Sequence, residues 1–235
     1  MCGEAHRTDI ITKRTLLRNF KAEVSQTYSV CNACQFIFTH NPLHERTLTE
    51  YYASSTQERR TEADANERRH IGEQLSFLKK SLLSSCGAAL EVGANNGTFL
   101  EALAPKDAYY IELNKESLAI LERKPHLKNF HTVLKKSKNV AVRFSQIILL
   151  HTLEHIVNPK SFINHWKRYL YEGGGFFVEV PDFTFADEDT DEFIFEHVNF
   201  FSEKTLRKLF TDCGLSVVAS EISLDRKYPA CPKYT

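Results

Sequence analysis

The chain has 235 residues, 42% of them hydrophobic, with thirty basic and thirty acidic side chains. That content suits a folded globular protein with one full core plus a small appendage and excludes a disordered polyelectrolyte. Zero formal charge leaves no basic footprint for DNA or RNA, so nucleic acid is not an expected partner and a small-molecule one is.

No apolar stretch approaches the roughly 20 residues needed to cross a bilayer, and residues 1–6 lack the apolar segment of a signal peptide, so no membrane and a cytoplasmic location are expected. Six cysteines in a reducing compartment read as metal ligands or buried thiols rather than disulfides. Residues 1–50 form the first expected unit. Short β-like runs surround Tyr28-Ser29-Val30 and Phe36-Ile37-Phe38, and Cys31-Asn32-Ala33-Cys34 between them resembles a zinc-ribbon knuckle. Residues 51–85 are polar and charged at first; then Ile71, Leu75, Leu78 and Leu82 recur at helical spacing, which predicts an amphipathic connector.

From residue 86 to 235, strands alternate with helical patterns: 88–93, 107–113, 129–134, 145–152, 174–181 and 214–223 read as strands. Such alternation predicts an α/β domain with a largely parallel sheet flanked by helices. Asn158-Pro159 supplies an N-cap and a proline at the first helical position, and Ser202-Glu203 opens a helix running through Phe210 to Gly214.

Two segments carry a nucleotide signature. Glu91-Val92-Gly93-Ala94-Asn95-Asn96-Gly97-Thr98 takes a strand into a glycine-bearing turn that opens a helix, where α/β sheets bind nucleotide cofactors. Its spacing is G-x-x-x-G rather than the dinucleotide G-x-G-x-x-G. About 20 residues later Glu112 ends the next strand, at the place of a ribose-binding acid. Glu112 could also simply favour the start of the Asn114-capped helix.

Farther on, the apolar run Ile147-Ile148-Leu149-Leu150 ends in His151-Thr152-Leu153-Glu154-His155, placing two histidines and a carboxylate at a strand's C-terminal end, the ligand edge of such a sheet. The alternative is a packed His151 with Glu154 and His155 capping the next helix. Phe177-Val178-Glu179-Val180-Pro181-Asp182 ends another strand. After it comes an acidic loop with six acidic residues between Asp182 and Glu192, then the aromatic segment Phe193–Ser202 containing Glu196-His197. Residues 182–201 are the expected substrate lid.

Together these segments resemble class I S-adenosylmethionine-dependent methyltransferases over residues 86 to about 223. The resemblance implies a Rossmann-like methyltransferase sheet and S-adenosyl-L-methionine as cofactor. It implies cofactor contacts from Glu91, Gly93, Ala94, Asn95 and Gly97 at the methionyl loop, Glu112 at the ribose, and His151, Leu153 and His155 after the fourth strand. A narrower resemblance is to the branch that includes sugar-nucleotide C-methyltransferases, which have an N-terminal zinc module and a later Glu-His segment followed by aromatics and serine. It implies His197 as general base with Glu196 beside it, and a small polar acceptor: a sugar, a sugar nucleotide or another metabolite.

The chain departs from that branch in places. Family zinc modules use four cysteines, whereas this chain offers Cys2, Cys31 and Cys34 with His6 as the nearest fourth ligand, so a Cys3His zinc site and an eroded module of plain thiols both stay open. Ser145-Gln146 and Lys135–Lys138 lack the acids that family members direct at the adenine. Cys86, Cys213 and Cys231 have no metal spacing and read as packing or surface thiols. Two other functions remain: a nicotinamide-dependent oxidoreductase, disfavoured by the missing G-x-G, and a non-catalytic partner-binding protein on a degenerate methyltransferase fold.

Overall fold

Alternation of short apolar strands with capped helices is what residues 88 to 181 display in the computed structural model, which describes residues 6–17, 21–54, 63–81, 87–136, 141–185, 193–224 and 232–234. The chain divides into two compact units. One comprises residues 49–150 and 165–178, the other residues 1–48, 151–164 and 179–235.

In the first unit the strands are β4 (Ala88–Val92), β5 (Asp107–Ile111), β6 (Leu127–Asn129), β7 (Phe144–Leu150) and most of β8 (Leu170–Pro181). They stand in the order β8-β7-β4-β5-β6 as a parallel five-stranded sheet. Leu90 faces Tyr109 and Ile147 across β4, and Glu91 faces Tyr110 and Ile148. Near-continuous apolar strands such as Ile147-Ile148-Leu149, all wholly buried, are what two covered faces require.

Helices α2 (Ala65–Lys80), α3 (Thr98–Leu103), α4 (Lys115–Leu121) and α5 (Phe130–Lys136) accompany this sheet, and α1 (Glu45–Ser54) precedes them. Ile71 and Leu78 of α2 join Ala89, Phe99, Leu100, Tyr110, Leu121, Ile148 and Phe177 in one core. The connector helix expected from residues 71–82 is thus present, although Leu82 lies outside the described residues. It is fixed at its start by Asp64, whose carboxylate accepts the N–H groups of Asn66 and Glu67. A second core is aromatic: Tyr109, Phe144, Trp166 and Tyr169 each pack on Phe130 with ring centroids 5.0–6.2 Å apart.

The expected strand at 129–134 is a correction. β6 stops at Asn129, whose side chain accepts the Thr132 N–H at 3.3 Å, and α5 begins at Phe130. Thr132 and Val133 suggest a strand by their branching, but an aromatic socket for Phe130 and an Asn cap decide for helix.

The other unit holds an antiparallel sheet ordered β1-β2-β3-β9, made of β1 (Arg7–Leu17), β2 (Ala22–Cys31), β3 (Ile37–Thr39) and β9 (Asn199–Phe200). Tyr28, wholly buried, stacks against Phe193 and Phe200, and Phe183 packs on the same two rings. The N-terminal strands therefore share a sheet with the Glu196-His197 segment. Helix α6 (Pro159–Trp166) starts in this unit, and Asn158 caps it by accepting the Ser161 N–H. Helix α7 (Glu203–Asp212) opens on a reciprocal capping box between Ser202 and Thr205.

The expected strand at 214–223 is largely absent. Leu215, Val217 and Ala219 are half-buried while Ser216 and Val218 are exposed, so the period-two pattern is real, but ladder pairing begins only in β10 (Ile222–Leu224). β10 pairs antiparallel with β11 (Pro232–Tyr234), which pairs with Val180 and Pro181 of β8. Among the described residues no helix is long and apolar enough to cross a membrane.

Candidate functional site

In the sheet unit, the turn after β4 is built around a carboxylate. Glu112 Oε2 accepts the Asn95 N–H at 2.7 Å, while Oε1 accepts those of Leu113 and Asn114 at 2.7 and 2.8 Å. One side chain thus ties the end of β5 to the glycine turn of β4. Asn95 sits at φ 48°, a left-handed conformation that costs a non-glycine residue free energy, and the charge-assisted bond offsets it. Of the roughly four lone-pair positions of a carboxylate, Glu112 has three engaged. Its remaining acceptor capacity lies on Oε2.

The turn's other donors are also engaged. Gly93 and Ala94 N–H both donate to the Ile111 carbonyl, and Gly97 N–H donates to that of Ala94. Gly97 adopts φ 79°, and a Cβ placed there would come within 2.7 Å of Leu121 and 2.8 Å of Leu127, so only glycine fits. Asn96 Oδ1 accepts from both N and Oγ1 of Thr98 and starts α3. With the N–H groups of Gly93, Ala94, Asn95 and Gly97 committed, this turn mainly offers a ligand acceptors.

Glu91 supplies another acceptor. Its side chain is 3% exposed, Oε2 has no hydrogen-bond partner, and burial together with the Glu112 charge pushes its carboxyl well above the usual carboxylate range. A buried acid without a partner is costly unless a cation arrives beside it. An ammonium group such as the α-amino group of a methionyl moiety meets that need, so the residues present fit S-adenosylmethionine.

In the other unit, β7 leads into His151, itself at φ 48°, and a single 3-10 turn from Leu153 to His155. His151 Nε2 lies 2.9 Å from Glu179 Oε1, and its Nδ1 lies 3.5 Å from Glu154 Oε1. Its backbone N–H donates to the Glu179 carbonyl. Leu153 is wholly buried and its carbonyl accepts from Asn199 Nδ2. His155 Nδ1 lies 2.9 Å from the Glu196 carbonyl, which assigns the ring proton to Nδ1, and Nε2 lies 4.0 Å from Glu154 Oε1. The His155 and His197 rings are 4.9 Å apart.

Glu154 and His197 form the electrostatic centre of this cluster. Glu154 is 1% exposed and neither oxygen has a hydrogen-bond partner. Burial pushes its carboxyl up, but the His151 side chain, with His155 beside it, prevails and holds it below the usual range. Burial drives the His197 imidazole down to about 4, against the pull of Glu154. His197 is therefore neutral at physiological pH, with one ring nitrogen unprotonated.

The structure thus brings together His151, Glu154, His155, His197 and Glu179 in one unit, and Glu91, Gly93–Gly97 and Glu112 in the other. Glu154 was expected at the ligand edge but given no role, and Glu179 was not among the expected site residues. Their signal was a carboxylate inside an otherwise apolar strand or turn, Val178-Glu179-Val180 and Leu153-Glu154. At the knuckle, Cys31 and Cys34 are buried thiols, and the Cys31 carbonyl accepts the N–H of Gln35, which sits at φ 61°. Cys2 lies outside the described residues. His6 lies beside the knuckle through its carbonyl, which accepts the Asn32 N–H, but among the described residues Cys31, Cys34 and His6 form no three-ligand group. Most of the acidic stretch of the expected lid, residues 186–192, is also outside the described residues.

A family model described as a methyltransferase domain matches residues 59–220. Among solved structures, the chain is similar to 1,6-didemethyltoxoflavin-N1-methyltransferase of Burkholderia thailandensis, with 13% identity and a TM-score of 0.57 over 87% of this chain and 95% of that one. It is similar to N-methyltransferase NodS of Bradyrhizobium japonicum, with 17% identity and a TM-score of 0.55 over 80% and 96%. It is also similar to magnesium protoporphyrin IX methyltransferase of Synechocystis, with 11% identity and a TM-score of 0.53 over 81% and 97%. These likenesses establish the fold. Comparison with curated proteins gives no match. The parallel sheet, its acid-anchored glycine turn and the family match over most of the chain place this protein in the methyltransferase-domain family, among the class I S-adenosylmethionine-dependent methyltransferases.

Proposed function

We propose that the protein transfers a methyl group from S-adenosylmethionine to a small polar acceptor, a sugar or another hydroxyl-bearing metabolite. The observation that carries the cofactor half is the turn itself: a buried, partnerless Glu91 oxygen beside an Asn95–Glu112 clamp. Glu91 and the carbonyls of the Gly93–Gly97 turn hold the ammonium end, and the remaining acceptor position of Glu112 Oε2 takes a ribose hydroxyl. The cofactor supplies an electrophilic methyl on a sulfonium, so the protein's task is to position the acceptor and take its proton. Two of the three similar proteins are named as methyltransferases of small molecules, 1,6-didemethyltoxoflavin and magnesium protoporphyrin IX, which supports an acceptor of that class.

His197 takes the proton in this reading. Its unprotonated nitrogen is available at neutral pH, and an imidazole near 4 is a weak base suited to a hydroxyl whose proton becomes acidic as the new bond forms. Glu196 positions the cluster through its carbonyl, which holds His155. His151 and His155 belong to the same cluster. Incubating the protein with isotope-labelled methyl donor and a metabolite extract, followed by mass spectrometry, tests the proposal. A labelled O-methylated product whose formation falls about 100-fold or more in His197→Ala, with cofactor affinity nearly unchanged, supports it. Unaltered turnover in the variant removes His197 from the role.

A structural zinc ion at Cys31 and Cys34, which the zinc-module resemblance implied together with Cys2 and His6, belongs to the same proposal and is tested separately. Metal analysis should lose about one equivalent per chain in a Cys31→Ser, Cys34→Ser double variant if the ion is present.

A further inference from the structure

We propose that Glu154, His155 and His197 form a binding site for a divalent transition-metal ion such as Zn2+ or Co2+. The ligand atoms of these three side chains all lie within 4.8 Å of one another. Two imidazoles and one carboxylate are a donor set that zinc accepts with a position left open.

The protonation pattern supports this assignment independently of the distances. His155 directs Nδ1–H to the Glu196 carbonyl at 2.9 Å, the backbone bond that typically orients a metal-binding imidazole, and so turns the Nε2 lone pair toward Glu154. Glu154 is a 1% exposed carboxylate whose nearest donor, His151 Nδ1, stands off at 3.5 Å, longer than a full hydrogen bond. Acceptors thus converge on one point: Nε2 of His155 and Oε1 of Glu154 are 4.0 Å apart. His151 Nδ1, 3.5 Å from the same oxygen, is the other neighbour that can approach it. An ion at an ordinary bond length of about 2 Å in tetrahedral geometry would draw the 4.0 Å pair in to about 3.3 Å. The His155 side chain is 24% exposed, which provides a route in from solvent.

Occupancy has a consequence for catalysis. A metal bond to His197 uses the lone pair with which that ring would take the acceptor's proton, so a bound ion suppresses methyl transfer. This consequence rests on the base reading above; the binding does not.

The test is titration of the full-length, chelator-treated protein with Co2+, followed by visible absorption, and with Zn2+, followed by calorimetry. Beyond the ion taken up at Cys31 and Cys34, one equivalent should bind at the cluster, with affinity reduced at least tenfold in both Glu154→Gln and His155→Ala and unchanged in the Cys31→Ser, Cys34→Ser double variant. Thermal unfolding of each variant confirms that it is folded. No saturable binding, or binding that survives both cluster variants, or binding lost only with the cysteines, overturns the site. Metal that binds as described without lowering turnover upholds the site and overturns His197 as the base.

Discussion

Glu91 is the residue whose environment most directly forecasts a measurable effect. Because its folded-state carboxyl is raised above the ordinary 4.5, the native state holds a proton that the unfolded chain releases. The stability this contributes is fully present below about pH 4.5 and is lost as pH rises toward the raised folded value. Chemical denaturation of wild type and Glu91→Gln should therefore coincide at pH 4. At higher pH the variant should gain by up to about 1.4 kcal/mol per pH unit. Equal stability throughout would mean that the carboxyl is not buried as described. An ammonium docking beside Glu91 must ionise it, so cofactor binding should release up to one proton, seen as a buffer-dependent heat in calorimetry. Heats independent of buffer would detach Glu91 from the cofactor. At Gly97, alanine must displace Leu121 and Leu127 and hold a left-handed backbone. The expected loss of about 1–3 kcal/mol of stability is checked by the same denaturation.

At the scale of elements, caps were the most legible feature of the sequence. Asn114, Asn158 and Ser202 each cap the helix expected of them, because a cap is a local contest between a side chain and the first N–H groups. Replacing Ser202 by alanine should cost about 1 kcal/mol, measurable as a lowered thermal midpoint; no change would mean that Thr205 caps alone. Where the outcome depended on distant partners, the sequence misled. Phe130 belongs to a helix because Tyr109 and Phe144 enclose it, and residues 215–219 alternate like a strand yet have no ladder. Neither partner set can be read from a window of neighbouring residues. The same holds for Glu154 and Glu179. Their chemistry is visible in the chain, but their convergence on His151 is a tertiary fact.

For the whole molecule, the parallel sheet with a glycine turn and a following acid was legible because both signals sit at fixed offsets from strand ends. The sequence also suggested that Glu112 binds ribose. It did not suggest that three backbone N–H groups would already occupy that carboxylate. The N-terminal knuckle was visible as a spacing, whereas its sheet with the Glu196-His197 segment was not: β3 and β9 pair across 160 residues of chain, Ile37 with Phe200. The central claim is that the turn of β4 and the acid of β5 hold S-adenosylmethionine. Isothermal calorimetry of the full chain with S-adenosylmethionine and, separately, NAD tests it most directly. The account predicts saturable S-adenosylmethionine binding, weakened about 10- to 100-fold by Glu112→Ala through the lost charged hydrogen bonds and abolished by Gly93→Arg, with no heat from NAD. Folded wild-type protein that binds NAD instead, or binds S-adenosylmethionine equally well in all three forms, would contradict it.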